Sequence, residues 1–285
     1  MITFTNQAAL SYRNRVRYSN LTTGQIADAL TVAKEALTAA YGPEDDVTYV
    51  VRLENNGTSD LSALTVTDDM GGYDFNGGTV YPLSYVADSL RYYVNGAPQS
   101  VPAVTPGAPL SVSGISVPAG GTAMLVYEAA VTEYAPLAAD GTVTNTATVN
   151  GAALTAPIAA SATINAENGP ELSITKALSP ETVGADRQVV YTFTIQNEGN
   201  AATSAEDSVV ITDTFAPALS NIAVTLNGAP LPQAGNYTYD ESTGAFATVA
   251  GAIEVPAATY AQDPTTGVYT AEPGEAVLTV TGTIM

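Results

Sequence analysis

The sequence contains no cysteine, no histidine and no tryptophan, and only two of its 285 residues are lysine. Without cysteine the chain has no disulfide and no thiol chemistry. Without histidine it has no Ser-His-Asp triad, no Cys-His pair and no ordinary zinc site. No apolar run approaches the ~20 residues of a membrane-spanning helix. We therefore expect no enzyme with turnover, no metal centre and no cofactor.

The charge is strongly one-sided. There are 28 acidic residues against 8 basic ones, a formal net charge of −20. Nucleic-acid binding needs a basic footprint, so the balance argues against a nucleic-acid partner. An acidic surface repels copies of itself and limits non-specific association.

The composition predicts strands. Hydrophobic residues make up 46% of the chain and charged residues only 13%, with 24 glycines and 17 prolines. Abundant Thr and Val, punctuated by turn residues, are typical of many short strands. The one candidate helix, residues 24–40, alternates Leu30, Val32 and Lys34 with polar positions, and this alternation favours a strand.

The sequence repeats itself. VTYVVRLENNGT (47–58) matches VVYTFTIQNEGN (189–200), and the segment around Lys34 matches that around Lys176, both at an offset of 142. LTVTDD (64–69) likewise matches VVITDT (209–214). We infer an all-β protein of two tandem immunoglobulin-like β-sandwiches. The predicted divisions are 1–18 as an N-terminal donor strand and linker, 19–166 as domain 1, and 167–285 as domain 2.

The two copies end differently. Copy one continues through TVTNTATVNG (142–151), whereas copy two stops at Met285 after its equivalent of the preceding strand. Domain 2 is therefore expected to lack its last strand, which leaves unpaired edges and an apolar groove. The segment 4–10 at the N-terminus, FTNQAAL, resembles the strand that copy two lacks. The predicted donor-strand residues are Ile2, Phe4, Asn6, Ala8 and Leu10.

The N-terminal strand has two possible destinations. It can insert into domain 2 of the next copy, and head-to-tail repetition then makes an open filament. Alternatively it folds back onto its own domain 2 as a circular permutation. The return path is long for two elongated domains, which favours the first arrangement.

Three polar residues fall on apolar strand faces. Strand alternation places Lys34 with Leu30 and Val32, Asp68 with Leu64 and Val66, and Asn145 with Val143 and Val149. In the second copy the corresponding residues are Lys176 and Asp213. The chain has no second-copy equivalent of Asn145 after residue 213, and the matching asparagine is Asn6.

A lysine, an aspartate and an asparagine in one core have a specific chemistry. Burial lowers the pKa of a lysine and raises that of an aspartic acid. The neutral amine can attack the asparagine carbonyl, which the acid polarises, and loss of ammonia leaves an isopeptide bond. This is a single-turnover cross-link, with Asp68 and Asp213 as the promoting acids. The other interpretation is a non-covalent Lys–Asp pair whose hydrogen bonds the asparagine completes.

The two predicted cross-links have different consequences. Lys34 and Asn145 lie in one copy, so their bond would staple domain 1. Lys176 and Asn6 lie at opposite ends of the chain, so their bond would link one subunit to the next.

The repeat resembles a known bacterial family. Its unit, LSITKALSPETV, VVYTFTIQNEGN, VVITDTF and TNTATV, resembles the conserved repeat often called domain of unknown function eleven. That family occurs in surface proteins of clostridia and relatives, and the chain is similar to subunits of clostridial spore appendages. The Lys/Asp/Asn arrangement is similar to the isopeptide sites of collagen-adhesin-type domains in Gram-positive pili. The resemblance implies a cell-surface or spore-surface filament subunit whose partner is itself.

Other functions leave weaker signals. The N-terminus has no secretory pattern, so either export is unconventional, with release by mother-cell lysis, or a leader has been removed from the sequence. Acidic clusters at 44–46 and 68–74 suggest calcium, but neither has a known loop spacing. A monomeric surface adhesin, with its N-terminal strand folded back, is the alternative to a filament subunit. We expect no membrane insertion, and the sequence identifies no anchoring partner.

Overall fold

Strands form almost all of the regular structure. The computed structural model describes the backbone of residues 2–26 and 29–285 and the side chains of residues 4–24 and 29–285. The one helical element in these ranges is a 3₁₀ turn, Ala205–Asp207. No helix within them is long and apolar enough to cross a membrane. The predicted all-β class is confirmed, and Leu30–Ala36, which contains the alternation Leu30, Val32 and Lys34, is a strand as expected.

The chain divides into two compact units. Unit 1 comprises Met1–Ala135 and Thr142–Asn165, and unit 2 comprises Pro136–Gly141 and Ala166–Met285. The strands that begin in unit 1 are β1 (Ile2–Asn6), β2 (Ala9–Tyr12), β3 (Arg15–Tyr18), β4 (Thr22–Ile26), β5 (Leu30–Ala36), β6 (Ala40–Tyr41), β7 (Asp46–Asn55), β8 (Leu61–Asp68), β9 (Tyr73–Phe75), β10 (Gly78–Val80), β11 (Leu83–Tyr85), β12 (Arg91–Val94), β13 (Ala97–Gln99), β14 (Ala103–Thr105), β15 (Leu110–Val117), β16 (Thr122–Val131), β17 (Thr142–Asn150) and β18 (Ile158–Ala166).

Unit 1 is a sandwich of two six-stranded sheets. One sheet has the order β13-β12-β16-β7-β5, with β11 also paired to β16, and we call it the lysine sheet because β5 carries Lys34. The other has the order β14-β15-β8-β17-β18-β6, and we call it the aspartate sheet because β8 carries Asp68. Strands such as β7 and β16 alternate buried and exposed side chains, as expected where one face covers a core.

Unit 2 is a smaller version of the same sandwich. Its strands are β19 (Leu172–Ser179), β20 (Gln188–Asn197), β21 (Thr212–Thr214), β22 (Leu219–Leu226), β23 (Ala229–Pro230), β24 (Tyr237–Asp240), β25 (Ala245–Thr248), β26 (Thr259–Gln262), β27 (Tyr269–Glu272) and β28 (Gly274–Ile284). The lysine sheet has the order β19-β20-β28-β22-β23, and β26 pairs with β27. Lys34 pairs with Val51 and Lys176 with Phe193, so the register of the repeat is the same in both units.

The aspartate sheet of unit 2 is incomplete. It has only three strands, in the order β21-β25-β24, which correspond to β8, β15 and β14 of unit 1. β21 is therefore an edge strand, and the described chain of unit 2 has no counterpart of β17 or β18. Among the described residues of unit 2, no strand follows β21 in this sheet, as the sequence predicts, and the sheet lacks counterparts of three strands, β17, β18 and β6.

The N-terminal residues form a hairpin. β1 pairs with β4 and β2 pairs with β3, and Arg13 and Asn14 both have positive φ in the two-residue turn between β2 and β3. The sequence predicted one continuous strand over residues 4–10. The structure interrupts it at Gln7 and Ala8, because the Ser19 hydroxyl accepts the Ala8 N–H at 2.9 Å in place of a regular ladder bond. The side chain of Ile2 lies outside the described residues.

The asparagine of the repeated E/Q-N-x-G motif has a structural role. In unit 1 the Asn55 amide donates to the carbonyls of Ser59 and Val117 at 2.9 and 3.1 Å and accepts from the Gly57 N–H at 3.0 Å. In unit 2 the Asn197 amide likewise donates to two carbonyls, those of Ala201 and Pro256, and accepts from the Gly199 N–H. Both side chains are fully buried, so each asparagine holds the backbone of the loop that follows its strand by hydrogen bonds made away from water.

Removing this amide should destabilise unit 1. In Asn55→Ala, buried carbonyls and an N–H lose their partners, and we expect the free energy of unfolding to fall by about 2–4 kcal/mol. Guanidinium unfolding followed by circular dichroism measures the change. The exposed neighbour provides the control, because Asn56→Ala should unfold at the wild-type denaturant concentration. Equal midpoints for the two variants would contradict a structural role for Asn55.

Candidate functional site

Three strands of unit 1 bring Lys34, Asp68 and Asn145 into one core. Lys34 lies on β5 in the lysine sheet, and Asp68 and Asn145 lie on the neighbouring strands β8 and β17 of the aspartate sheet. Asp68 pairs with Ala147, two residues from Asn145 on the same face of β17. All three side chains are buried, with exposed fractions of 7%, 1% and 0%.

The Asp68 carboxylate is the centre of this cluster. Its Oδ2 lies 2.6 Å from Lys34 Nζ and also accepts a hydrogen bond from the Tyr127 hydroxyl. Its Oδ1 accepts the Met70 N–H at 3.1 Å. Lys34 Nζ lies 4.7 Å from the centre of the Tyr49 ring, a cation–π distance. The acid is therefore fixed in position by one cation, one phenol and one backbone amide.

Burial decides the electrostatics of the site. Desolvation lowers the pKa of Lys34, and the charge of Asp68 opposes this shift only in part. Desolvation likewise raises the pKa of Tyr49 and, helped by the neighbouring Asp68 charge, the pKa of Tyr127. Burial thus makes the neutral amine, which is the nucleophilic form of lysine, easier to reach than it is in water.

Asn145 is the buried polar residue without a partner. Neither Nδ2 nor Oδ1 has a hydrogen bond to any described residue, and the Tyr49 hydroxyl beside this amide is also unbonded by geometry. An unpaired buried amide costs on the order of 1–3 kcal/mol. This amide is thus a dry, unpaired group in the same core as Lys34 and Asp68.

Unit 2 contains the same pair in a half-open form. Lys176 Nζ contacts Asp213 Oδ2, and the Asp213 Oδ1 accepts the Thr214 N–H at 2.8 Å. The lysine Nζ also lies 4.7, 5.4 and 5.6 Å from the ring centres of Tyr191, Phe193 and Phe215. However, the Lys176 side chain is 41% exposed, whereas that of Lys34 is fully buried.

The predicted third member of the second site lies in the other unit. Asn6 ends β1 in the N-terminal hairpin, where its side chain is exposed and its carbonyl accepts the Thr22 hydroxyl at 3.0 Å. The other donor-strand residues with described side chains, Phe4, Ala8 and Leu10, are exposed as well. One trio is therefore assembled within unit 1, and the other is divided between the hairpin of unit 1 and the core of unit 2.

Two tyrosines belong to the site although the sequence pattern does not identify them. Strand alternation places Tyr49 and Tyr127 on inward faces, but an inward tyrosine is usually only a core residue. In unit 1, Tyr49 pairs with Tyr127 on the neighbouring strand. In unit 2, the residue equivalent to Tyr49 is Tyr191, and it pairs with Val280. The position of Tyr127 is therefore occupied by a valine in unit 2. The phenol that contacts Asp68 is thus a feature of unit 1 alone.

The acidic clusters do not assemble into a metal site in the part of the chain that the structure describes. No group of three or more acidic side chains there is arranged to hold a metal ion. Asp69 of the 68–74 cluster instead accepts the N–H groups of Gly71 and Thr146 at 2.9 and 2.8 Å.

The buried tyrosines predict an alkaline limit to the stability of unit 1. Their pKa values are higher in the folded than in the unfolded state, so their contribution is complete below pH 10 and is lost as the pH rises above it. The free energy of unfolding should fall by about 1.4 kcal/mol per pH unit for each tyrosine. Urea unfolding at pH 9 to 11.5 measures this slope. In Tyr49→Phe/Tyr127→Phe it should be smaller by about 2.7 kcal/mol per pH unit, and an unchanged slope would contradict the assignment.

The fold and the site define a class of protein: a tandem β-sandwich chain with a buried lysine–aspartate–asparagine core. No protein-family model matches the sequence, and no curated protein matches it. Similar solved structures include pilus backbone proteins. BcpA, the major pilin subunit of Bacillus cereus, is 10% identical, with 95% of this chain and 73% of that chain covered and a TM-score of 0.37.

Two further pilus proteins resemble the chain to the same degree. The pilus backbone RrgB of Streptococcus pneumoniae is 13% identical over 86% of this chain and 55% of that chain, with a TM-score of 0.35. The major pilin SpaD of Corynebacterium diphtheriae is 12% identical over 85% and 58%, with a TM-score of 0.36. The chain spans about half the length of RrgB. A red sea bream transglutaminase also matches, with a TM-score of 0.28. TM-scores in the range of these four structures carry no argument about function.

Proposed function

We propose that the protein is the structural subunit of an extracellular filament and polymerises head to tail. The N-terminal strand of one subunit enters the aspartate sheet of unit 2 of the next. One observation carries this proposal: the aspartate sheet of unit 2 ends at β21, at the place where β17 pairs with β8 in unit 1. The sequence that resembles β17 is found at the other end of the chain, in β1 and β2. Backbone pairing at an open sheet edge provides the affinity for such an addition.

Unit 1 is proposed to cross-link itself. The Lys34 ammonium transfers a proton to the Asp68 carboxylate, which leaves a neutral amine and a carboxylic acid. The amine nitrogen attacks Cγ of Asn145, and the acid donates a hydrogen bond to Oδ1. A bond forms between Nζ and Cγ and the bond from Cγ to Nδ2 breaks, so Nδ2 leaves as ammonia with a proton from the amine. The atoms balance without an oxidant or a co-reactant.

Unit 2 is proposed to cross-link to its neighbour by the same chemistry. Lys176 and Asp213 are already in contact, and a donated strand would bring Asn6 to the position that Asn145 holds in unit 1. Covering the site would also remove Lys176 from water, as Lys34 is removed from water in unit 1. The bond then forms after assembly rather than before it.

This role places the protein on a cell or spore surface. No family model matches the sequence, so this location rests on the proposed filament role alone. The net charge of −20 fits a polymer whose sides repel one another while its ends join. The protein performs one cross-linking event per site and has no catalytic cycle.

Two variants that each keep one end of the subunit test head-to-tail addition. The first lacks residues 2–26 and is an acceptor only. The second extends Met285 with a copy of residues 132–166, so that it fills its own unit 2 and is a donor only. Light scattering should show polymers for the wild type, monomers for each variant alone, and a 1:1 dimer for the mixture. Polymers of the variant without residues 2–26, or a mixture that stays monomeric, would overturn the proposal.

A further inference from the structure

Unit 2 requires two strands rather than one. In unit 1 the aspartate sheet continues from β8 through β17 to β18 and β6, whereas in unit 2 it stops at β21. On β18, Ala162, Ile164 and Ala166 are all buried, so the outer strand covers part of the core as well. A single donated strand would leave this part of the core of unit 2 open to water.

The N-terminal hairpin has the register of β17 and β18. Phe4 pairs with Gly24 and Asn6 with Thr22, as Val143 pairs with Ile164 and Asn145 with Ala162. The Phe4 ring lies over Gly24, where a Cβ atom would come within 2.4 Å of it. A large residue facing a glycine thus takes the place of two medium-sized residues on the same face.

Both surfaces expose apolar side chains that their counterparts bury. On the hairpin, Phe4 is 55% and Leu10 64% exposed. On β19 of unit 2, Leu172 is 40% exposed, although its counterpart Leu30 is only 2% exposed under β17, which packs across β5. An isolated two-stranded hairpin is marginally stable in water, and a third strand with an apolar face stabilises it.

The hairpin and unit 2 carry net charges of opposite sign. Residues 2–26 contain Arg13, Arg15 and Arg17 and no acidic residue, whereas residues 166–285 contain 14 acidic and two basic residues. Opposite charges speed association and fix orientation between the partners. The basic hairpin thus has the charge that an acidic unit 2 attracts.

We infer that the donated element is the whole hairpin, with β1–β2 as the inner and β3–β4 as the outer strand added to unit 2 of a second copy. This inference rests on the proposed head-to-tail function. Thr22 and Gly24 then occupy the buried places of Ala162 and Ile164. In unit 1 the outer strand meets the chain where the Asn165 N–H donates to Ala39 at 2.9 Å. The offset of 142 places the equivalent contact at residues 181–183 of unit 2.

Charges placed on the two faces of the outer strand test the inference in the full-length chain. Thr22 and Thr23 are both exposed in the single chain, so neither substitution should affect its folding. Thr22 would be buried in the assembly, whereas Thr23 corresponds to the exposed Thr163. By light scattering, Thr22→Glu should stay monomeric where the wild type polymerises, and Thr23→Glu should polymerise normally. Thr22→Val removes the hydroxyl without adding charge and should also polymerise.

A charge on the inner strand separates this inference from the proposed function. If Phe4→Glu blocks assembly but Thr22→Glu does not, only β1–β2 is donated and the inference is overturned. If both variants polymerise, the head-to-tail proposal itself fails. Equal inhibition by Thr22→Glu and Thr23→Glu would show that neither face of the outer strand is buried in the assembly, and would overturn the inference. A monomeric wild type whose hairpin folds back onto its own unit 2 would overturn it as well.

Discussion

Replacing Asn145 with alanine is expected to remove the covalent staple of unit 1 and about 5 kcal/mol of its stability. The bond would close a loop of about 110 residues between Lys34 and Asn145, and a covalent cross-link across a loop of that size contributes about 4.7 kcal/mol in the chain-entropy model. The intact mass should rise by one ammonia relative to the cross-linked protein, after correction for the substitution. Guanidinium unfolding and intact mass spectrometry of the same sample measure both effects.

The same substitution distinguishes the covalent site from a merely buried ion pair. If no bond forms, Asn145 is an unpaired amide in a dry core, and its removal should leave stability unchanged or increase it. Asn150→Ala, at the exposed end of β17, is the matched control and should behave as the wild type. A more stable Asn145→Ala protein of unshifted mass would exclude the isopeptide bond in unit 1.

Replacing Asn6 with alanine is expected to convert a covalent filament into a reversible one. Strand addition relies on backbone pairing and on apolar contacts such as those of Phe4, so electron microscopy should still show filaments. The bond to Lys176 cannot form, and boiling in SDS should therefore reduce the variant entirely to monomer. Thr5→Ala changes the opposite face of β1, and its filaments should resist boiling like those of the wild type. Filaments of the Asn6 variant that survive boiling would show that another bond joins the subunits.

Strand alternation was sufficient to locate the core of the site. Lys34, Asp68 and Asn145 each follow apolar residues at a spacing of two, and this period places a side chain on a known face whatever the details of the fold. The repeat then transferred the assignment to Lys176 and Asp213. These features depend on local geometry, which the sequence specifies directly.

The remaining features depend on pairing between distant segments. The contact of Tyr127 with Asp68 requires β16 and β8 to face each other across the sandwich, and no local pattern identifies it. The exposure of Lys176 follows from strands that are absent from unit 2 rather than from its own sequence. The interruption at Gln7 and Ala8 arises because a serine hydroxyl on the facing strand competes for a backbone N–H, and alternation cannot predict such a competition.

The two sites differ in a way that suits their proposed timing. In unit 1, β17 belongs to the same unit as Lys34 and Asp68 and covers both, so the site is complete once that unit folds. In unit 2, Lys176 is 41% exposed to water, and its proposed asparagine partner, Asn6, is not part of that unit. The bond between subunits would thus form only where a neighbour has already docked.

Peptide mapping of the boiled filament tests the central claim most directly. Assembled protein is boiled in SDS and separated on a gel, and each band is digested and analysed by mass spectrometry. The account predicts a ladder at multiples of the subunit mass whose upper bands contain a peptide joining Asn6 to Lys176, lighter by one ammonia than its two parts. A single monomer band in which Asn6 and Lys176 are unmodified would contradict covalent head-to-tail assembly.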